Sequence, residues 1–85
     1  MITIYTKENC GACSKAKALL QSRGLEYKEI QIGKDVMREH VMELFPEAKQ
    51  VPIIIDRGNF IGGYDQLKER LIVEDKQFLT EVNNF

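Results

Sequence analysis

The chain has 85 residues, enough for one small domain, and we expect residues 1–85 to form a single domain. Apolar residues make up 44% and charged residues 29% of the sequence, which is typical of a globular protein rather than a disordered or collagen-like one. Twelve basic residues against thirteen acidic ones give a net charge of −1. No overall basic field is therefore expected to bind nucleic acid or an anionic membrane.

Apolar runs and cysteine content suggest where the protein works. The longest apolar run, residues 51–55, contains a proline and is far too short to span a bilayer. Residues 1–6 alternate in polarity and lack the apolar core of a signal peptide. We therefore expect the protein to be located in the cytoplasm, where thiols are kept reduced. There, two cysteines three positions apart indicate catalysis or metal binding rather than a structural disulfide.

The first half of the chain predicts two strands, each followed by a helix. Residues 1–6 and 25–32 alternate between apolar and polar side chains, as strands do. Residues 11–23 carry small and apolar side chains at helical spacing. Asp35 is positioned to cap a second helix, which Pro46 ends. The apolar face predicted for this second helix comprises Met37, Val41, Leu44 and Phe45.

The second half predicts a hairpin and a further helix. Residues 51–55 read as a buried strand, and a turn over residues 56–59 leads into a short fourth strand. The third helix is marked by Tyr64, Leu67 and Leu71, and a C-terminal helical segment by Phe78, Leu79 and Val82. The order β-α-β-α-β-β-α, with that last segment, predicts an α/β fold. We expect a mixed four-stranded sheet with helices on both faces.

The two cysteines form a Cys-Gly-Ala-Cys motif, Cys10 to Cys13, where the first strand passes into the first helix. Residues three apart in a helical turn lie close enough for a disulfide. A bridge that closes so short a loop stabilises a fold by only about 2 kcal/mol on the chain-entropy model. The pair is therefore better suited to a reversible redox reaction than to a structural role.

The two thiols are predicted to differ in reactivity. Cys10 lies at the helix N-terminus, where unpaired N–H groups and the helix dipole favour a thiolate, and Lys7 adds positive charge nearby. These features should lower the pKa of Cys10, and the thiolate is the form that attacks disulfides. Cys13 should be more buried and placed to resolve a mixed disulfide.

The two cysteines also admit two simpler interpretations. A structural zinc site needs four ligands, whereas the chain offers two cysteines and a distant His40, so no metal site is expected. An inert pair of buried cysteines is the second alternative. The strand-to-helix position of the motif favours a redox pair over both.

Along almost its whole length the chain resembles the glutaredoxins, a family of the thioredoxin fold. The motifs that carry the resemblance are Lys7-Glu8-Asn9-Cys10-Gly11-Ala12-Cys13, Arg38, Val51-Pro52 and Gly62-Gly63-Tyr64-Asp65. The resemblance implies that the Val51-Pro52 bond is cis and lies against the cysteine pair. It also implies that the Val51 backbone is free to pair with an extended peptide such as glutathione.

The resemblance further implies a glutathione-binding site. Gly63 and Tyr64 would contact the γ-glutamyl end through their backbone at the start of the third helix, and Asp65 would meet its amine. Lys7 and Arg38 are the candidates for the glycyl carboxylate. A further candidate for that carboxylate is Gln50, which stands where many relatives have threonine.

The spacer between the cysteines departs from the commonest family pattern, Pro-Tyr. Here it is Gly11-Ala12, which lacks the rigidity of proline and the shielding of an aromatic ring. We therefore expect the thiol of Cys10 to be more exposed than in relatives with the Pro-Tyr spacer.

The activity that the resemblance implies is that of a dithiol glutaredoxin. It would be a monomer without a bound cofactor that uses glutathione to reduce disulfide-containing or glutathionylated proteins, with ribonucleotide reductase as one suggested client. One alternative is a glutaredoxin-like electron donor reduced by thioredoxin reductase. Another is a carrier that shares an iron–sulfur cluster between two chains through Cys10 and two glutathiones.

Overall fold

The computed structural model describes residues 1–71 of the chain. Its elements are β1 (Ile2–Thr6), α1 (Gly11–Ser22), β2 (Tyr27–Gln31), α2 (Arg38–Leu44), β3 (Ile53–Asp56) and β4 (Asn59–Gly62). Residues 64–71 are helical up to the last described position and are called α3. The order agrees with the prediction over this range. The helical segment predicted around Phe78, Leu79 and Val82 lies outside the described residues.

The four strands form one mixed sheet in the order β2-β1-β3-β4. In the central strand β1, Ile4 pairs with Glu29 of the parallel strand β2 and with Ile54 of the antiparallel strand β3. Strand β4 returns antiparallel to β3 through a tight turn. The mixed four-stranded sheet of a thioredoxin fold is therefore confirmed.

Side chains alternate across this sheet and pack against helices on both faces. On one face, Ile4 and Ile54 pack against α1 and α3; the helical residues of this cluster are Ala16, Leu20, Leu67 and Leu71. On the other face, Tyr5 packs edge-on against Phe45, just after α2, at 5.6 Å between ring centroids. Val41, Ile53, Ile55 and Phe60 belong to this second cluster. These two cores hold the loops at one end of the sheet in place.

The predicted start of the second helix was wrong. Helix α2 begins at Arg38, and its N-terminal neighbour Met37 makes no side-chain capping hydrogen bond. The carboxylate of Asp35 instead accepts a hydrogen bond from the backbone N–H of Gln31, at 2.8 Å. An aspartate bonds to nearby backbone N–H groups in turns as readily as at helix ends. Asp35 therefore closes the loop after β2 rather than capping α2.

The predicted apolar face of α2 was correct at only two of its four positions. Val41 is buried and Phe45 packs against the core, but Met37 is 71% and Leu44 51% exposed. Because the helix spans only Arg38–Leu44, Met37 lies before it and is not part of its buried apolar face.

Candidate active site

The loop from β1 to α1 presents the two cysteines. Cys10 caps α1 with an extended backbone, φ −112° and ψ 104°, and Cys13 lies in the first turn. The two are joined by a disulfide, with their Cα atoms 5.2 Å apart. The sulfur of Cys10 accepts a hydrogen bond of 3.1 Å from the backbone N–H of Cys13. Cys13 is 2% exposed, whereas Cys10 is half-buried. The two sulfurs therefore differ in access, as the sequence predicted.

A cleft of about 450 Å³ opens beside the disulfide. Both cysteines line it together with Lys7, which is exposed, and with Lys17 and Glu29. The structure therefore brings Lys7 to the same cleft as Cys10. Neither Lys17 nor Glu29 was expected there from the sequence.

Lys17 and Glu29 belong to a polar network that joins α1 to the sheet. The hydroxyl of Thr6, which is 2% exposed, donates a hydrogen bond of 2.7 Å to the Glu29 carboxylate. The ammonium of Lys17 lies 3.1 Å from the same carboxylate oxygen. The Thr6 hydroxyl, and after it Lys17, holds the pKa of Glu29 below its usual range against the opposing effect of partial burial. Glu29 thus remains a carboxylate beside the active-site cleft at neutral pH.

A second group of predicted residues meets across a groove on the far side of the cysteine motif. The Val51-Pro52 bond is cis, as the resemblance implied. Strand β3 begins only at Ile53, so Val51 lies before it. Within residues 1–71 the backbone N–H and C=O of Val51 make no hydrogen bond. A groove of about 450 Å³ is lined by Ala12 of the cysteine motif and by Gln50, Val51, Pro52, Gly63, Tyr64 and Asp65.

Gly63 brings the start of α3 against the proline loop. A Cβ atom at this position would lie 3.4 Å from the carbonyl oxygen of Pro52, a tighter contact than side chains usually make. Tyr64 packs its ring against the core and Asp65 is exposed at the helix start. The backbone N–H groups of this first turn have no partner inside the helix. This arrangement suits the recognition of an anionic group.

Gln66 is a residue of this groove that the sequence analysis missed. Its side-chain oxygen accepts a hydrogen bond of 2.9 Å from the backbone N–H of Gly63, as the third residue of a helix does in a capping box. A glutamine three positions after Gly63 was the available signal. A Cβ atom on Gly62, where φ is +130°, would come within 2.7 Å of the Gln66 side chain.

The remaining predicted cation, Arg38, lies in an adjoining groove of about 520 Å³. Lys7, Gln50 and Val51 also line it. The two grooves therefore share Gln50 and Val51, and Lys7 connects the second groove to the cysteine cleft. All ten residues singled out in the sequence thus lie along one continuous surface.

Residues 1–71 contain no group of three or more His, Cys, Asp and Glu side chains arranged to hold a metal ion. Over the same residues, none of the helices has the length and hydrophobicity that a bilayer span requires.

Comparison with known proteins gives a consistent result. The glutaredoxin family pattern matches residues 2–61. Glutaredoxin 3 of Escherichia coli strain K12 is 38% identical over 66 residues, which cover 78% of this chain and 80% of that protein. The solution structure of a glutaredoxin from Brucella melitensis is 30% identical with a TM-score of 0.68, covering 95% of this chain and 85% of that one. A buckwheat glutaredoxin–glutathione complex shares the fold with a TM-score of 0.73, at 23% identity and over 98% of this chain and 76% of that one.

A thioredoxin fold with two cysteines at the start of its first helix defines a class of thiol–disulfide oxidoreductases. The pair is seen here in its disulfide form. Together with the matches over most of its length, this places the protein within that class. The chain belongs to the glutaredoxin family.

Proposed function

We propose that the protein reduces protein disulfides and glutathione mixed disulfides with glutathione as its electron donor and without a bound cofactor. Cys10 is the attacking thiolate and Cys13 the resolving thiol. The observation that carries the proposal is the continuous surface described above. It joins the cysteine cleft to the two grooves lined by the eight residues that the resemblance assigns to glutathione.

The reaction follows from the difference between the two sulfurs. The Cys10 thiolate attacks a glutathionylated protein, releases the protein thiolate and becomes joined to glutathione by a disulfide. A second glutathione thiolate then attacks this mixed disulfide, which restores Cys10 and yields glutathione disulfide. With a protein disulfide as substrate, Cys13 attacks the mixed disulfide instead. That step forms the Cys10–Cys13 bond and releases the second substrate thiol.

The charges along the grooves match those of glutathione, which carries two carboxylates and one amine at neutral pH. Lys7 and Arg38 attract the glycyl carboxylate, and Gln50 donates to it from the loop before β3. The unpaired Val51 backbone pairs with the peptide portion of the ligand. The buckwheat relative, solved with glutathione, supports a site of this kind.

At the opposite end of the ligand, the backbone N–H groups at the start of α3 donate hydrogen bonds to the γ-glutamyl carboxylate, and Asp65 pairs with the amine. At Gly63 a Cβ atom would already contact the Pro52 carbonyl oxygen at 3.4 Å, so glycine keeps the helix start and the proline loop uncrowded. The backbone of Gly63 and Tyr64 can therefore come directly against a ligand.

The biological setting follows from this chemistry. A glutathione-driven dithiol enzyme works where glutathione is reduced, so we propose that the protein works in the cytoplasm. We further propose that it acts as a monomer, as the family resemblance implies. Its clients are proteins with disulfide or glutathionylated cysteines, and by family analogy ribonucleotide reductase is one of them.

The test is a comparison of two electron sources. Purified protein is assayed on a glutathionylated peptide with glutathione and glutathione reductase, and separately with thioredoxin reductase, following NADPH oxidation. We expect steady turnover with glutathione, little with thioredoxin reductase, and none in a Cys10→Ser variant. Brisk turnover with thioredoxin reductase and none with glutathione would overturn the proposed reductant in favour of a flavoprotein-driven donor.

A further inference from the structure

The groove beside α2 is cationic. It is the 520 Å³ groove lined by Arg38, and we call it the α2 groove. Lys7, Arg38 and Lys49 line it and are all exposed, while its lining within the described chain includes no Asp or Glu. None of these three cations forms a salt bridge with another residue of the range 1–71. Since the whole chain carries a net charge of −1, this positive field is local.

Part of the lining of the α2 groove is apolar. Val41, Met42, Pro46 and Val51 line it. Met42 is 52% exposed, and Met37, just before α2, is 71% exposed. Exposed methionines provide adaptable apolar contacts and recur on surfaces that bind other proteins. An occupant that suits this groove therefore carries both carboxylates and apolar side chains.

Glutathione does not account for the whole groove. Its glycyl carboxylate is assigned to Lys7 and Arg38, whereas Lys49 and Met42 have no role in that assignment. Val51, at the edge of the groove, has an unpaired backbone N–H and C=O that can align an extended segment. Through Lys7 the groove also adjoins the cleft that holds Cys10.

We propose that Lys49 and Met42 dock an extended acidic and apolar segment of a protein substrate, next to the disulfide presented to Cys10. This inference rests on the proposed function, in that a protein disulfide is what reaches Cys10. Lys49 selects carboxylates that flank the reactive cysteine, and Met42 contacts an apolar neighbour. The groove thereby distinguishes protein substrates by the residues around their reactive cysteine. The contacts to glutathione cannot provide this distinction, because glutathione is the same in every reaction.

The reaction used to test this needs no other reductant. The Cys10 thiolate attacks one sulfur of a disulfide-linked peptide dimer and releases one peptide thiolate, which takes up a proton. Cys13 then loses its proton and attacks Cys10, forming the Cys10–Cys13 disulfide and releasing the second peptide thiol. Two electrons pass from the protein dithiol to the peptide disulfide, so one reduced protein converts one dimer.

The experiment measures this single turnover with fully reduced protein and fluorescence-quenched peptide dimers. Three peptide dimers differ only at one position beside the cysteine, which is aspartate, asparagine or lysine. In all three dimers a leucine is the other flanking residue. We expect the aspartate dimer to react about fivefold faster than the asparagine dimer at low salt, with the advantage shrinking as salt is added. A fourth dimer with serine in place of leucine should react more slowly than its leucine counterpart.

Two variants test the assigned residues, and a third serves as the control. Lys49→Glu should strongly reduce the preference for aspartate, because the charge of the groove lining falls from three cations to a net of one while Lys7 and Arg38 remain. Met42→Gln should remove the advantage of leucine over serine while keeping the preference for aspartate. Lys68→Glu makes the same charge change on the exposed surface of α3, away from the grooves, and should leave the peptide preference unchanged.

The outcomes separate this inference from the proposed reductant. Equal rates for the aspartate and asparagine dimers would overturn the docking inference even if glutathione drives turnover. Failure with glutathione, accompanied by an intact aspartate preference in single turnover, would overturn the reductant and leave the docking site standing. A third outcome is also informative. If all peptide dimers react equally, and sedimentation shows that the protein self-associates and that Lys49→Glu abolishes this association, the groove binds a second copy of the protein and the inference is wrong.

Discussion

The backbone N–H of Cys13 donates a hydrogen bond to Sγ of Cys10 at 3.1 Å. This bond follows from the position of Cys10 as the residue that caps α1, because the N–H groups of a first helical turn have no partners within the helix. When the pair is reduced, the same geometry directs a donor and the positive end of the helix dipole at a thiolate. A hydrogen bond to a charged sulfur is stronger than one to a neutral sulfur, so this contact favours ionisation of Cys10.

We therefore expect the pKa of Cys10 in the reduced protein to lie below the value of about 8.5 of a free cysteine. The measurement is the rate of alkylation by iodoacetamide against pH in a Cys13→Ser variant, which leaves Cys10 as the only thiol. As pH rises, the rate should increase through a midpoint below that value. The matched Cys10→Ser variant should react slowly because Cys13 is buried. A Cys10 midpoint at or above the free-cysteine value would contradict the prediction.

The two thiols should also separate by reaction type. Cys10→Ser should abolish both the reduction of protein disulfides and deglutathionylation, since Cys13 is too buried to attack a substrate. Cys13→Ser should retain deglutathionylation, because that reaction needs only the attacking thiol and a second glutathione. Its reduction of protein disulfides should be largely lost. The opposite pattern, with activity retained in Cys10→Ser and lost in Cys13→Ser, would reverse the assignment.

The sequence predicted those features that local patterns determine. Alternating side chains in β1 and β2 identified two strands, and the cysteine motif identified the start of α1. The connections between these elements then left few possible topologies, because parallel strands joined through a helix follow a right-handed crossover. Short-range signals, combined with general topological rules, were thus sufficient for the fold.

Other features depended on contacts that no local pattern reveals. Thr6 and Glu29 are 23 residues apart and meet because β1 and β2 pair in parallel. Their network with Lys17 could be recognised only once the strand register was known. The carboxylate of Asp35 can accept a hydrogen bond from a backbone N–H at a helix end or in a loop. The path of the chain after β2 brings the N–H of Gln31 to it, which the sequence does not reveal.

The spacer between the cysteines offers a test of backbone rigidity. Gly11 is the first residue of α1, where proline is favoured, and no atom lies within 4 Å of the Cβ position there. The preceding Cys10 already has the extended backbone that a residue before proline requires. Gly11→Pro should therefore stabilise the reduced protein by about 0.4–1 kcal/mol, chiefly by restricting the unfolded chain. Thermal unfolding of the reduced protein measures this change.

Gly24→Ala is the matched control for this substitution. A Cβ atom at Gly24 also meets nothing within 4 Å, but the backbone has φ +67°, which alanine adopts only with strain. This variant should lower the melting temperature, whereas Gly11→Pro should raise it by a few degrees. A destabilised Gly11→Pro would show that the N–H or the flexibility of Gly11 is needed by the fold.

The Glu29 network makes a small contribution to stability that depends on pH. The pKa of Glu29 is lowered in the folded protein, so its ionised form stabilises the fold at pH values above its unfolded pKa. That stabilisation is lost as pH falls through the folded pKa. Because the Glu29 side chain is 36% exposed, we expect Glu29→Gln to cost about 1 kcal/mol or less at pH 7. Urea unfolding at pH 7 and near pH 3 should show the difference from the wild type shrinking at the acidic end.

The division of the Glu29 effect between its two partners can be tested in the same way. Thr6→Val keeps the buried shape but removes the hydroxyl that donates to the carboxylate, so it should reproduce much of the Glu29→Gln loss. Added salt should weaken the contribution of Lys17 and leave that of Thr6 largely intact. Glu26→Gln, at an exposed position before β2, serves as the control and should behave as the wild type at both pH values.

The last prediction concerns recognition of glutathione at the two ends of the site. Arg38 and Asp65 lie in different grooves, which adjoin at Gln50 and Val51, and each is assigned one charged group of the ligand. Both side chains are exposed, so each contact is screened by solvent and contributes about 1 kcal/mol or less. Arg38→Ala and Asp65→Ala should therefore each raise the apparent KM for glutathione by up to about fivefold. Moderate salt should raise the KM of the wild type in the same direction.

Two matched variants and one further readout make this prediction specific to recognition. Lys28→Ala on β2 and Glu69→Ala on α3 remove exposed charges away from both grooves and should leave the KM unchanged. The alkylation midpoint of Cys10 should be unaltered in Asp65→Ala, since Asp65 lies in the groove that Cys10 does not line. A lowered kcat with an unchanged KM in Arg38→Ala or Asp65→Ala would contradict a role in binding. In the double variant the two increases in KM should multiply, because the residues contact opposite ends of the ligand and share no partner.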